Sequence, residues 1–425
     1  MDLRELRKRG RSSRETRKLE TVSKTLATIT NAGLYPGYVP VQSASTNPTC
    51  IIGGREVVML CSNNYLGLAQ HPRVLEGARR ALDAHGVGPG GSRVLCGNLD
   101  LLIELERRIA DLAGTEDALT FPTGYMANVG AVSGLLDPFL GGLHYRKGAA
   151  AVIADERNHA TVFDGIALSH AKRFIYAHND IDDLVRKLEQ AKDHHPRMII
   201  TEGVFSVDGE VSPLPEIVRV AEEYEAALMI DDAHGFGVMG ERGGGTLEHF
   251  GLQGRADLVM GSFDKALGGM GGFLAGRHDL IQYLRMTSRP YLSSSAMPAV
   301  MAGAMIEAID LCIQGRDLRA RLRDTADQLR AELLALGFRI LGDGQLPVVP
   351  VLIGQEEAAI AFSERLLQHG VYLPCYRFPV IARGTARVRA TTTVLHEKEH
   401  LARVVEAFQK ADADLGLLRE QNAAA

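Results

Sequence analysis

The sequence carries no membrane anchor, no metal knuckle and no disulfide frame. No window approaches the roughly 18 consecutive apolar residues of a membrane helix, so no membrane span is expected. The N-terminus has no apolar h-region, so export is not expected either. Its five cysteines, Cys50, Cys61, Cys96, Cys312 and Cys375, form no CxxC pair and leave one over. That argues against a disulfide framework and against a zinc site, and it fits a cytoplasmic protein. Positive charge is not in excess, with 47 Lys and Arg against 52 Asp and Glu and a formal net charge of -5. Such a chain has no general attraction for nucleic acid or anionic membranes, and the expected partners are small molecules or protein. Basic residues do cluster in the first twenty positions, around Leu-Arg-Glu-Leu-Arg-Lys-Arg-Gly-Arg. The interleaved acids favour a solvated helical arm lying on a partner subunit over an organelle presequence.

At 425 residues and 46% hydrophobic content the chain can bury a large core and divide into more than one lobe. Short apolar runs at Ala151, Met198, Ala227 and Leu258 alternate with helix-like stretches between 72 and 280. The alternation predicts an α/β fold with a mostly parallel sheet. Beyond Pro298 the pattern changes to amphipathic helices over 298–314 and 316–337, a strand at Val348–Ile353 and a last helix from about 397. The expected division is an arm and small segment at 1–60, a large domain at 61–297 and a smaller C-terminal α/β domain at 298–425.

Five fragments carry chemistry. Lys265 stands in Ser262-Phe-Asp-Lys-Ala-Leu-Gly-Gly-Met-Gly-Gly, whose glycines let backbone approach something bulky. Asp231 and His234 follow an apolar strand, where a carboxylate can pair with a protonated ring nitrogen. Phe121-Pro-Thr-Gly124-Tyr125-Met-Ala-Asn128 is a turn entering a helix, whose free N–H groups suit a phosphate. His159, after the strand at Ala151, is placed to stack on a planar ring. Glu202 and Ser206 add polar groups at another strand end. Each fragment alone has an ordinary structural explanation; in open α/β sheets, however, strand ends of this kind share one ligand crevice.

In this order the fragments resemble the α-oxoamine synthases, a family of pyridoxal 5'-phosphate (PLP) enzymes that includes serine palmitoyltransferase, 8-amino-7-oxononanoate synthase and 2-amino-3-ketobutyrate CoA ligase. Ser62-Asn-Asn-Tyr-Leu-Gly-Leu, Gly90-Gly-Ser-Arg-Val-Leu-Cys-Gly, Ser288-Arg-Pro-Tyr-Leu-Ser and Gly384-Thr-Ala-Arg-Val-Arg extend the likeness from about Leu34 to Phe408. The resemblance implies a fold-type I enzyme with Lys265 as the Schiff-base lysine, Asp231 on the pyridine nitrogen, His234 and Ser206 near the 3'-oxygen and His159 on the ring face. It places the phosphate on Gly124, Tyr125 and Ser262, and on Ser294 from the second subunit of a homodimer. Asn63, Arg377 and Arg389 are the substrate-binding positions, with Arg389 on the amino-acid carboxylate. The implied reaction is a decarboxylative condensation of serine, alanine or glycine with an acyl thioester, on CoA or a carrier protein. A glycine C-acetyltransferase, an aminotransferase or a lyase would share many of these residues.

Two departures stand out. Where the family carries a second hydroxyl, this chain has Asp264, a carboxylate facing the expected phosphate. It must turn away, pair with an arginine, be protonated, or weaken the binding. The stretch 137–148 is longer than the family's usual link and is expected to be either a solvated loop or a contact for the acyl carrier.

Overall fold

A computed structural model describes residues 19–31, 37–136 and 148–418. The basic run at 1–18 and the insertion at 137–147, for which an arm and a carrier contact are expected, lie outside those residues.

The described strands are β1 (Thr49–Ile52), β2 (Arg55–Met59), β3 (Asp117–Phe121), β4 (Ala151–Asp155), β5 (Lys172–Tyr176), β6 (Arg197–Glu202), β7 (Val204–Phe205) and β8 (Glu210–Val211). They continue with β9 (Ala227–Asp231), β10 (Leu258–Ser262), β11 (Gly272–Gly276), β12 (Val348–Gly354), β13 (Val371–Tyr372), β14 (Cys375–Tyr376) and β15 (Ala386–Thr391). Seven of them form one sheet in the order β3-β11-β10-β9-β6-β4-β5. Only β11 runs against its neighbours β10 and β3; the other six are parallel. The fold is therefore the expected mostly parallel α/β architecture.

Burial explains why these strands lack polar alternation. All five residues of β4 are buried. Val152 and Ala154 enter a cluster with Ala127, Ala131 and Val132 of the helix Gly124–Leu136, while Ala151 and Ile153 enter another with Leu184, Leu188 and Ile217. A strand covered on both faces is apolar at every position.

The C-terminal residues build a second sheet, β12-β15-β14, all antiparallel. Phe338, Phe362 and Phe408 lock behind it with ring centroids 5.3 to 5.7 Å apart. The helices expected over 298–314 and 316–337 run Ala299–Gln314 and Arg316–Ala335, and the last runs Lys398–Leu415 with a reciprocal Glu397/His400 cap. Val58 and Leu60 share this cluster with Leu366 and Phe408, and β2 pairs with β13. No helix among the described residues is long and apolar enough to cross a membrane.

The site is positioned by the shared edge of the large sheet. β4, β6, β9 and β10 end at Asp155, Glu202, Asp231 and Ser262. Register sets Asp231 beside Glu202 on one side and Met260 on the other. The glycine-rich stretch after Lys265 reads as a turn from sequence, yet Gly272 already belongs to β11. A Cβ on Gly272 would stand 2.6 Å from Gly124 Cα and 2.9 Å from Gly124 N, so this strand touches the Thr123–Gly124 turn backbone to backbone. Gly272→Ala should therefore cost about 1–3 kcal/mol of overpacking strain. Urea denaturation of the variant measures that loss, and equilibrium dialysis should show weaker PLP retention as the turn shifts.

Candidate active site

A cavity of about 400 Å³ opens at the edge where these strands end. Of the residues singled out from sequence, Gly124, Tyr125, His159, Ser206, Asp231, His234, Ser262 and Lys265 line it, joined by Glu202 and Asp264.

One end is built to take an anion. Helix Gly124–Leu136 starts here, and Thr123 caps it by accepting from Met126 N at 3.2 Å. The N–H groups of Gly124 and Tyr125, in the first turn, have no intrahelical acceptor. Ser262 Oγ donates to Gly271 O at 3.2 Å and also meets the Asp264 carboxylate. Tyr125 keeps its hydroxyl on Asp164 Oδ2 at 3.0 Å.

The other end holds a carboxylate without a counter-charge. Asp231 is buried, accepts from Asn128 Nδ2 at 2.7 Å and from Ala233 N at 3.2 Å, and forms no ion pair among the described residues. Asn128 is fixed in turn by Thr161 Oγ1 at 2.9 Å, the hydroxyl that also meets His159 Nδ1 at 2.8 Å. One chain of bonds thus orients both the acid and the imidazole. Glu202 adjoins Asp231, and burial, then the Asp231 charge, push its carboxyl well above the usual range.

His234 meets Tyr65 Oη through Nδ1 at 2.7 Å. Burial first, then the charges of Lys265 and Arg389, hold its imidazole well below the ordinary value, so the ring is neutral. In the tautomer where Tyr65 O–H donates to Nδ1, Nε2–H is a donor. Behind it Asp232 is fully buried, with Thr246 N donating to Oδ2 at 2.7 Å and no partner on Oδ1. Burial pushes this carboxyl from 3.8 up to about 7. An acid raised on folding adds stability at low pH that is lost as pH rises through the folded value. Asp232→Asn should therefore flatten the stability curve between pH 4 and 7, as thermal unfolding across that range would show.

Lys265 Nζ lies 3.2 Å from Asp264 Oδ1. Asp264 does not turn away and pairs with no described arginine; it occupies both the amine and the Ser262 hydroxyl.

Arg389, on β15, donates from Nη1 to Ser206 Oγ at 3.1 Å and from Nη2 to Asn63 Oδ1 at 3.0 Å. It is 5% exposed, Nε has no partner, and no described carboxylate pairs with it. Its neighbour two positions back, Arg387, is engaged by Asp208. Arg377 follows β14 and bonds the Cys375 side chain, away from the cavity lining. Ser294 also lies outside the lining, with Oγ 3.9 Å from Met126 Sδ.

Sequence reasoning missed the orienting residues Asn128, Thr161 and Tyr65. The signal for Asn128 was its place one helical turn after Gly124, which sets both on one face.

An anion end, an uncompensated carboxylate, an amine between them and a neutral ring donor match the four polar parts of PLP, and the donor set fits the cofactor. Asp264 is the misfit. Removing its charge by Asp264→Ser should tighten PLP by about tenfold, the worth of one close like-charge contact in a partly exposed site. Pyridoxal, lacking the phosphate, should bind both proteins alike in the same titration.

The model of the class I and II aminotransferase family matches residues 55–408. Among curated relatives, the 8-amino-7-oxononanoate synthase of Thermoanaerobacter pseudethanolicus is 41% identical over 401 residues, covering 94% of this chain and 98% of that protein. The 8-amino-7-oxononanoate synthase 1 of Bacillus subtilis is 39% identical, covering 87% and 92%. Among solved structures, serine palmitoyltransferase of Sphingomonas wittichii superposes with a TM-score of 0.87 at 28% identity, covering 95% of this chain and 99% of that one. A high-resolution SPT structure with PLP gives 0.86 at 30% identity, covering 95% and 100%. The motifs at Lys265, Asp231 and Gly124 and these relatives agree: the chain belongs to the class I and II aminotransferase family and, within it, to the PLP-dependent α-oxoamine synthases, a family of C-acyltransferases.

Proposed function

We propose that the chain condenses L-alanine with the thioester of a seven-carbon diacid, releasing CO2 and the carrier thiol and leaving a nine-carbon α-amino ketone, the product named in its curated relatives. Alanine supplies the methyl carbon and the carbon bearing nitrogen, its carboxyl departs as CO2, and the acyl carbon becomes the ketone. One observation carries the reading: a buried carboxylate, Asp231, and a buried guanidinium, Arg389, both lack an ionic partner among the described residues; Asp231 and Lys265 line the cavity, and Arg389 stands behind it, bonded to the lining residue Ser206.

When bound, PLP supplies an electron sink for the carbanion formed at the amino acid's α-carbon. The rest falls to the chain. Gly124 and Tyr125 N–H and the Ser262 hydroxyl would hold the phosphate, and Asp231, aimed by Asn128, would keep the pyridine nitrogen protonated. His159, fixed by Thr161, would cover the ring face, while Ser206 and neutral His234 would serve the 3'-oxygen. Lys265 is the amine that links the cofactor and takes the α-proton. Arg389, held by Ser206 and Asn63, would grip the substrate carboxylate in the bidentate geometry of a guanidinium. Arg377 is assigned to the acyl side, where a terminal carboxylate needs a cation.

Ser294 is proposed to complete the partner's phosphate site in a homodimer. Exposed Val87, Val94 and Leu95, the last 79% exposed, support a self-associating surface. The cleft is proposed to lie between the 61–297 and 298–425 domains, with 1–60 as an N-terminal arm and small segment whose β2 pairs with β13 of the second domain.

A serine-using, long-chain activity is the second reading, favoured by the serine palmitoyltransferase likeness of the fold. Alanine, serine and glycine should be tested against acetyl, pimeloyl and palmitoyl thioesters, on CoA and on carrier protein, reading thiol and CO2 together. Alanine with the pimeloyl donor should dominate. Lys265→Ala should cut turnover at least about a thousandfold. CO2 without thiol would replace the condensation with simple decarboxylation.

A further inference from the structure

We propose that an ion-pair brace beside the active site, centred on Asp208 and Arg387 and backed by Arg157, His178, Asp155 and Glu210, positions Arg389 for the amino-acid carboxylate. The inference rests on the proposed role of Arg389 and adds residues that touch neither substrate nor cofactor.

Two parallel rungs join β15 to the turn between β7 and β8. Side chains two apart in a strand share a face, so Arg387 and Arg389 project together from β15. Opposite them stand Asp208 and Ser206. The first rung, Arg387 to Asp208, is a buried ion pair with side chains 7% and 15% exposed. The second, Arg389 to Ser206 Oγ at 3.1 Å, is neutral on one side. The unequal rungs matter, because Asp208 satisfies Arg387 and leaves Arg389 its full charge for a ligand.

From Asp208 the brace continues to the end of β4. Arg157 Nη1 lies 3.2 Å from Asp208 and 3.7 Å from Glu210. His178 bridges Asp155 through Nδ1 at 3.0 Å and Glu210 through Nε2 at 2.7 Å, with its edge against Phe205. Burial alone would lower the imidazole, but those two carboxylates raise it to about 9. Three cations therefore face three anions, Arg157, His178 and Arg387 against Asp155, Asp208 and Glu210. Asp155 ends β4 four residues before His159, and its carboxylate also accepts Arg157 N at 2.8 Å and Asn179 N at 2.9 Å. The brace thus ties the strand end that leads to His159 to the strand that carries Arg389. Breaking a buried pair strands a charge, whereas exposed Arg157 contributes less.

The test titrates the PLP-loaded enzyme with the amino acid that turns over best and, separately, with its carboxamide, following the cofactor absorbance. Wild type should bind the amino acid more tightly than the amide; equal binding in wild type would sink the Arg389 assignment and, with it, the brace's positioning role. Given that preference, Asp208→Asn should weaken the amino acid by about tenfold, a coupling of ordinary size for groups sharing one network, with the amide altered less than about twofold. Glu210→Gln, at the exposed rim, should give a smaller shift of the same kind and serves if Asp208→Asn does not fold. Arg387→Lys, which keeps the charge, should recover part of what Arg387→Gln loses. Equal weakening of both ligands, or no change in either, would overturn the proposal.

Discussion

The structure turns on a buried carboxylate, Asp231, that has no ion-pair partner among the described residues. Removing an ion from water costs several kcal/mol unless dipoles replace the lost solvent. At Asp231 an amide from Asn128 and a backbone N–H from Ala233 do that work. The acids on either side, Glu202 and Asp232, are both pushed up in pKa, chiefly by burial. This arrangement needs three strand ends in register, which is why β6, β9 and β10 must be parallel and adjacent. The sheet topology and the electrostatics are two descriptions of the same constraint.

The anion end depends on contact between backbones. β11 lies against the Thr123–Gly124 turn with no side chain between them, and Ser262 closes the corner from β10. A phosphate held there meets N–H groups whose direction is set by a helix axis and a strand. Asp264 intrudes into that geometry. Its carboxylate meets both Lys265 Nζ, at 3.2 Å, and the Ser262 hydroxyl.

Much of this was legible in the sequence because the chemistry-bearing residues come directly after apolar runs. A buried strand announces itself by composition, and the residues just beyond its last apolar position must sit at the sheet edge, so Asp231, His159 and Ser206 could be placed together. The glycine run after Lys265 is turn as far as Gly271, as its composition suggests; only its last residue, Gly272, opens the antiparallel strand β11, whose Phe273 and Leu274 are buried. Asn128, Thr161 and Tyr65 escaped notice for a different reason. Their roles arise from bonds across 33 to 169 positions of chain, and no local pattern encodes such a partner. Asp264 is visible in the sequence as an anomaly, but its contact with Lys265 Nζ is a matter of side-chain geometry that the order of residues does not encode. The short strands β1, β2 and β13 were also unseen, since their pairing joins the start of the chain to residue 371.

The irregularity between Leu352 and Gly354, where β12 and β15 lose a residue of register, has a meaning for how this family can change. Arg387 and Arg389 are alike, face the same way and differ only in their neighbours. A slip of two positions would preserve every inward and outward assignment and exchange a structural arginine for a ligand-binding one. Most sheet errors announce themselves by exposing apolar residues; this one would not. The irregularity acts as a ratchet stop against it.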